Sequence, residues 1–213
     1  MNDRAPAPGG LALVQALVNT LDIESGADSL DTPEGLARLG LTADEADGAR
    51  ELRESLRAVC LAHAGHPAHR DVTPLGELLA RAPLRVTLDG PGGTARLVPA
   101  VGHPSSAPAP AAPTPLADPA CPADQAPPAD PACPADQAPP ADRTSPAAPV
   151  PLAFRVAAAI AESLVEGTWP RLKACEAPTC HWAYFDRSPA GRGRWCSMSV
   201  CGARAKMRRY RAK

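Results

Sequence analysis

Aromatic side chains are scarce, at 3 % of 213 residues, with Trp 3, Tyr 2 and Phe 2. A core must therefore come from Leu, Val and Ala, and a large enzyme with a deep pocket is not expected. Long apolar runs are also missing, and nothing approaches the roughly 18 residues that a membrane helix needs. The run Leu11–Val18 is too short for a signal h-region and has no basic region ahead of it or small-residue cleavage site. The expectation is a chain with no targeting or membrane segment that stays cytoplasmic. Its cysteines should then be reduced thiols or metal ligands rather than disulfides.

Proline, by contrast, is abundant and unevenly spread. Residues 101–150 hold 15 Pro and 15 Ala, with only Val101, Leu116 and Val150 as larger aliphatics. Such a stretch cannot bury enough apolar surface to offset the entropy of ordering it, so it reads as a disordered linker. It contains a perfect repeat, DPACPADQAPPA, at 118–129 and again at 130–141. The repeat accounts for Cys121 and Cys133, which read as spectator thiols in a polyproline-like spacer.

Charge is uneven too. Net charge is −1, yet residues 1–100 carry 9 basic and 14 acidic side chains while residues 171–213 carry 11 and 2. An acidic body with a basic end points to a polyanionic partner for that end.

Residues 11–22 suit a short amphipathic helix with Leu13, Leu17 and Leu21 on one face. Thr32-Pro33-Glu34 starts a second helix that Gly40 closes. Thr42 and Glu45 form a capping box ahead of a helix over 43–64, with Ala49, Leu52, Leu56 and Val59 at helical spacing and Cys60 a small core residue beside them. A further helix runs about 74–81. Leu84, Val86 and Leu88 alternate with polar residues, residues 89–93 turn the chain, and Ala95 and Leu97 resume, which reads as a β-hairpin. After the linker, Leu152, Val156, Ile160 and Leu164 form a stripe that needs a partner. The helix over 151–170 should complete the first domain across the insertion.

Four cysteines remain, Cys175-x4-Cys180 and Cys196-x4-Cys201, fifteen residues apart. Two such pairs can aim four sulfurs at one ion, and Zn2+ accepts four thiolates; an iron–sulfur cluster is the rival. Trp182–Phe185 and Arg194-Trp195 read as strands around the Gly191/Gly193 turn. A region this small has almost no core of its own, so metal would have to stabilise it. Four thiolates leave no open coordination position, which argues against catalysis there. Beyond Cys201, a helix over 198–211 carries Arg204, Lys206, Arg208, Arg209 and Arg211, and Arg187, Arg192 and Arg194 extend the basic surface from the finger. Such a helix is either a solvated tail or a phosphate-binding element lying in a groove of DNA.

The segment 171–213 resembles the CGNR zinc-finger family. The resemblance rests on Trp169-Pro170-Arg171-Leu172, Cys-x4-Cys, Asp186-Arg187-Ser188, Arg194-Trp195-Cys196-Ser197-Met198 and Cys201-Gly202-x-Arg204-Ala205-Lys206. Members usually pair this finger with an N-terminal ABATE domain. Leu17-Val18-Asn19-Thr20, Leu30-Asp31-Thr32-Pro33, Arg50-Glu51-Leu52-Arg53 and Arg85-Val86-Thr87-Leu88 look like pieces of it. The resemblance implies a stress-induced transcription regulator. One departure stands in the naming motif itself, where Ala203 occupies the Asn position. All four cysteines are kept, so zinc binding should survive.

The expected chain is thus mainly α (α+β). It has a helical domain with one hairpin over 1–100, the linker over 101–150, a completing helix over 151–170 and the zinc finger over 171–213. Its expected role is that of a non-enzymatic, nucleoid-associated DNA-binding regulator that contacts duplex, with the N-terminal domain sensing a signal or forming a homodimer. An RNA or single-strand binder using Trp182, Tyr184 and Phe185 for stacking is the alternative, as is a protein-interaction module. His63, His66 and His69 could form a sensor or enzyme site, against an exposed loop after the helix.

Overall fold

The computed structural model describes residues 5–88, 94–100 and 150–212. The Pro/Ala-rich stretch with its repeat and both of its cysteines, and the hairpin tip at 89–93, lie outside them. The described chain is mainly α with two small antiparallel sheets. Its helices are α1 (Leu11–Val18), α2 (Pro33–Leu39), α3 (Ala46–His63), α4 (Leu75–Leu79), α5 (Leu152–Val165) and α6 (Ala203–Arg211). One sheet pairs β1 (Leu84–Leu88) with β2 (Ala95–Pro99), and the other pairs β3 (Leu172–Ala174) with β4 (Ala183–Phe185).

Local chemistry sets the early boundaries. Thr32 caps α2, its Oγ1 accepting from the Gly35 N–H at 3.1 Å, and Pro33 sits where a missing N–H is harmless. Gly40 ends α2 in the left-handed conformation at φ 65°, which a side chain would strain. The Glu45 carboxylate accepts from the Thr42 N–H at 2.9 Å, and a 3-10 turn (Ala43–Glu45) leads into α3. α1 stops at Val18, earlier than its periodicity suggests: the Asn19 N–H still bonds Gln15 in the helical pattern, but the Thr20 N–H tightens onto the Leu17 carbonyl.

α3 is the central helix. Leu52, Leu56, Cys60 and Leu61 meet Leu11, Val14, Leu17 and Val18 of α1 and Val156 and Ile160 of α5 in one core. The inward face of α5 is Leu152, Val156, Ala159, Ile160 and Ser163 rather than the four-residue stripe read from the sequence, since Leu164 is 58 % exposed. The hairpin departs similarly. Val86 and Leu88 face solvent, because a two-stranded sheet laid on α5 has one uncovered face.

The same core continues past residue 170. Leu172, Ala174, Ala183 and Phe185 are buried in it beside Trp169. The finger has a small cluster of its own, Cys175, Ala177, Tyr184, Cys196 and Cys201 with Trp182 and Trp195 against it, and its strands also share the main core. Its sheet lies against α3, and residues up to 101 and from 149 onward make one compact unit.

Candidate metal centre

β3 runs into the first cysteine and β4 leaves the second, with Leu172 opposite Phe185 and Ala174 opposite Ala183. The strand partner of residues 183–185 thus precedes Cys175, and Arg194-Trp195 is not a strand. It is held instead by the Glu176 N–H donating to the Arg194 carbonyl at 3.0 Å. Cys196 follows this segment, and Cys201 sits in a wide π-helical turn, Met198–Gly202, that opens α6. The Ser197 hydroxyl caps that turn by accepting from the Val200 N–H at 3.3 Å.

These elements bring the sulfurs of Cys175, Cys180, Cys196 and Cys201 within 4.8 Å of one another, the only such cluster among the described residues. The Cys180–Cys196 and Cys196–Cys201 separations are 3.6 and 3.7 Å. A tetrahedron with zinc–sulfur bonds of about 2.3 Å has edges of about 3.8 Å, so the spacing fits one Zn2+ held by all four thiolates. A multi-iron cluster would hold its thiolates farther apart, and the sulfurs are too far apart for disulfides. Zinc here would serve structure: it would close two loops and the start of α6 onto one point.

Without a cation the four groups cannot all ionise. Hydrogen bonds from the Cys180 and Cys196 thiols bring Cys175 down to about 2. Donating to that thiolate pushes Cys180 up to about 12 and raises Cys196 as well. Burial, and then the Cys175 charge, raises Cys201. A divalent cation reverses this ordering by favouring four thiolates.

A second polar centre fixes the finger loop. Asp186 has no solvent exposure. Its carboxylate accepts from Lys173 Nζ at 3.0 Å, the Ser188 N–H at 3.0 Å and hydroxyl at 2.7 Å, and the Gly193 N–H at 2.7 Å. Burial alone would raise its pKa, but these donors outweigh it and hold the carboxyl well below the usual range. A Cβ on Gly193 would lie 2.9 Å from that carboxylate, so the close approach requires glycine.

The N-terminal helices grip the finger through side chains that the sequence reading did not single out. Arg57, with no solvent exposure, donates to the His181 carbonyl at 2.9 Å and the Val18 carbonyl at 2.8 Å. Glu54 bridges it to Arg53, which reaches Asp28 at 2.6 Å. Alternating charges on a helix resemble a solvent-facing pattern, which hides this role.

The basic residues divide into two groups. Arg187 donates to the Ala5 and Pro6 carbonyls, Arg194 forms a two-pronged pair with Glu176, and Arg204 donates from Nη1 alone to both Glu24 carboxylate oxygens at 2.9 Å. Arg192, Lys206, Arg208, Arg209 and Arg211 are exposed and make no side-chain ion pair among the described residues. Tyr184 and Phe185 are buried, Trp182 and Trp195 keep partial exposure, and Tyr210 on α6 is 77 % exposed.

His63, His66 and His69 do not converge. His63 donates from Nδ1 to the Leu172 carbonyl at 2.8 Å and lies edge-on to Trp169. His66 is 3.8 Å from Glu176, and His69 meets Glu54 at 2.9 Å. None of the three stands in the cysteine cluster, and they form no second one among the described residues.

The geometry defines a four-cysteine metal-binding module built onto a helical core. Residues 171–213 match the family model of the CGNR zinc finger. A comparison with curated protein sequences finds no match. Among the described residues no helix is long and apolar enough to cross a membrane.

Proposed function

We propose that this protein is a zinc-dependent DNA-binding transcriptional regulator in which α6 contacts the duplex. The observation that carries the reading is the exposure of Lys206, Arg208, Arg209 and Arg211 on a helix that buries no side chain and is anchored at its start by the cysteine cluster. Like-charged neighbours one turn apart destabilise a helix, so phosphates would relieve a repulsion that α6 carries alone. The −2 charge of a four-thiolate zinc site would favour the helix at its positive end. The reading assigns residues 11–99 to an ABATE-type domain that senses a signal or dimerises, and it gives the chain no catalytic step. It places the protein in the cytoplasm on the nucleoid as a stress-responsive regulator. Burial of Tyr184 and Phe185 favours duplex over single strands, because two of the three stacking rings are already used.

The test is duplex retention by zinc-loaded chain against a chain ending at Gly202, which keeps all four cysteines. Loss of binding in the shortened chain is expected, and retained affinity overturns the role of α6. With four phosphate contacts, log K should fall with log salt at a slope of about −3 to −4.

A further inference from the structure

α6 is not uniformly charged. Val200, Ala203 and Met207 line one shallow groove of about 500 Å³, bordered by Arg204, Arg208 and Arg211. Val200 is 40 % and Met207 51 % exposed. On the opposite flank Gly202 and Ala205 lie beside Trp195 and Arg194, with Lys206 and Arg209 exposed at its border and Arg208 reaching both sides. The groove is open along Ala203, Met207 and Arg211, while Val200 and Arg204 at its start also border Asp22 and Glu24.

Its occupant must be polyanionic to suit the arginine border and must present apolar groups flush with that charge. A helix with its side chains is about 10–12 Å across, which the roughly 12 Å width of the B-DNA major groove admits. The apolar group that a major groove offers is the thymine 5-methyl. RNA lacks that methyl, and its major groove is too deep and narrow for side chains to read. We propose that Val200, Ala203 and Met207 read thymine methyls in the major groove of duplex DNA while Arg208 and Arg211 hold the flanking phosphates. This rests on the duplex-binding reading of α6 and assigns sequence readout to its apolar residues rather than to its arginines.

The experiment selects a binding site from a random duplex pool with full-length, zinc-loaded protein, then replaces each thymine of that site by deoxyuridine. The wild type should lose about four-fold in affinity at each contacted methyl, the value of one buried methylene-sized group. Met207→Ala should lose that discrimination at one position and keep its salt dependence, whereas Arg211→Ala should weaken binding to all sequences alike. Met207 lies outside the cysteine cluster and the core, and zinc content and circular dichroism confirm that the variant is folded. Three outcomes overturn the methyl readout and leave duplex binding standing: retention without an enriched site, tolerance of deoxyuridine by the wild type, or unchanged discrimination in Met207→Ala. If no duplex is retained even at low salt, the DNA-binding reading falls, and this inference with it.

Discussion

Asn19 pairs with Ala183 as a neighbouring strand would. Its Oδ1 accepts from the Ala183 N–H at 2.7 Å, and its Nδ2 donates to the Ala183 carbonyl at 3.0 Å. One side-chain amide at the end of α1 thereby satisfies both backbone groups on the open edge of β4. Gln15, one turn earlier, adds a second donor to the same carbonyl at 3.3 Å. Asn19→Ala leaves a buried N–H without its partner and should cost about 2 kcal/mol in urea unfolding. The loss should appear in a single transition reported equally by finger tryptophans and helical signal. Two separate transitions would show that the finger and the helices do not unfold together.

Zinc removal should be felt beyond the finger. Leu172, Ala174, Ala183 and Phe185 belong to the common core, so chelation should lower the thermal midpoint of the whole unit and raise amide exchange in α1 and α3. Changes confined to 171–212 would contradict the shared core.

Loading the site should release protons. Cys180, Cys196 and Cys201 are held protonated without metal, and each must ionise to bind it. Raising pH therefore strengthens apparent zinc affinity and lowering it weakens affinity. Calorimetry in buffers of different ionisation enthalpy should report about three protons per zinc near neutral pH. A pH-independent affinity would refute the single-thiolate state.

Asp186 gives the fold an acid limit. Its pKa is depressed in the folded state, so its contribution is present above the unfolded value of about 3.9 and is lost as pH falls through the lower folded value. Asp186→Asn leaves Lys173, only 6 % exposed, without its counter-charge and should cost about 3–5 kcal/mol at neutral pH. The variant's stability should also vary less with pH below 4, measured by urea midpoints across the acid range.

Glu24 occupies Arg204 and sets a negative charge beside the start of α6. At 52 % and 57 % side-chain exposure the pair adds little to stability, so Glu24→Gln should leave the thermal midpoint unchanged. If α6 binds duplex, the freed arginine should steepen the salt dependence by about 0.9. An unchanged slope would mean that Arg204 stays out of the contact.

Features written locally were legible. Thr32, Pro33 and Gly40 bound α2, Thr42 with Glu45 marks the entry to α3, and the paired cysteines announce a site that the structure closes to within 4.8 Å. Pairings over long separations were not. The partner of 183–185 is decided by the core beneath the sheet, which favours 172–174 over the equally near 194–195. Arg53, Glu54 and Arg57 look solvent-facing because their compensating partners, Asp28, Val18 and His181, lie far away in sequence. Val86 and Leu88 follow a burial alternation that needs a second layer on the hairpin, and they face solvent instead.

The shared core bears on how this chain is made. A ribosome delivers α1 to α4 and the hairpin long before α5 and the finger strands emerge, so the first hundred residues wait without the later side chains that complete their core. A gene fragment encoding only 171–213 would carry the mirror-image defect, with Leu172 and Phe185 exposed to water. The finger strands are therefore hard to move onto another protein as a cassette, because the helical residues they pack on are encoded far upstream of them.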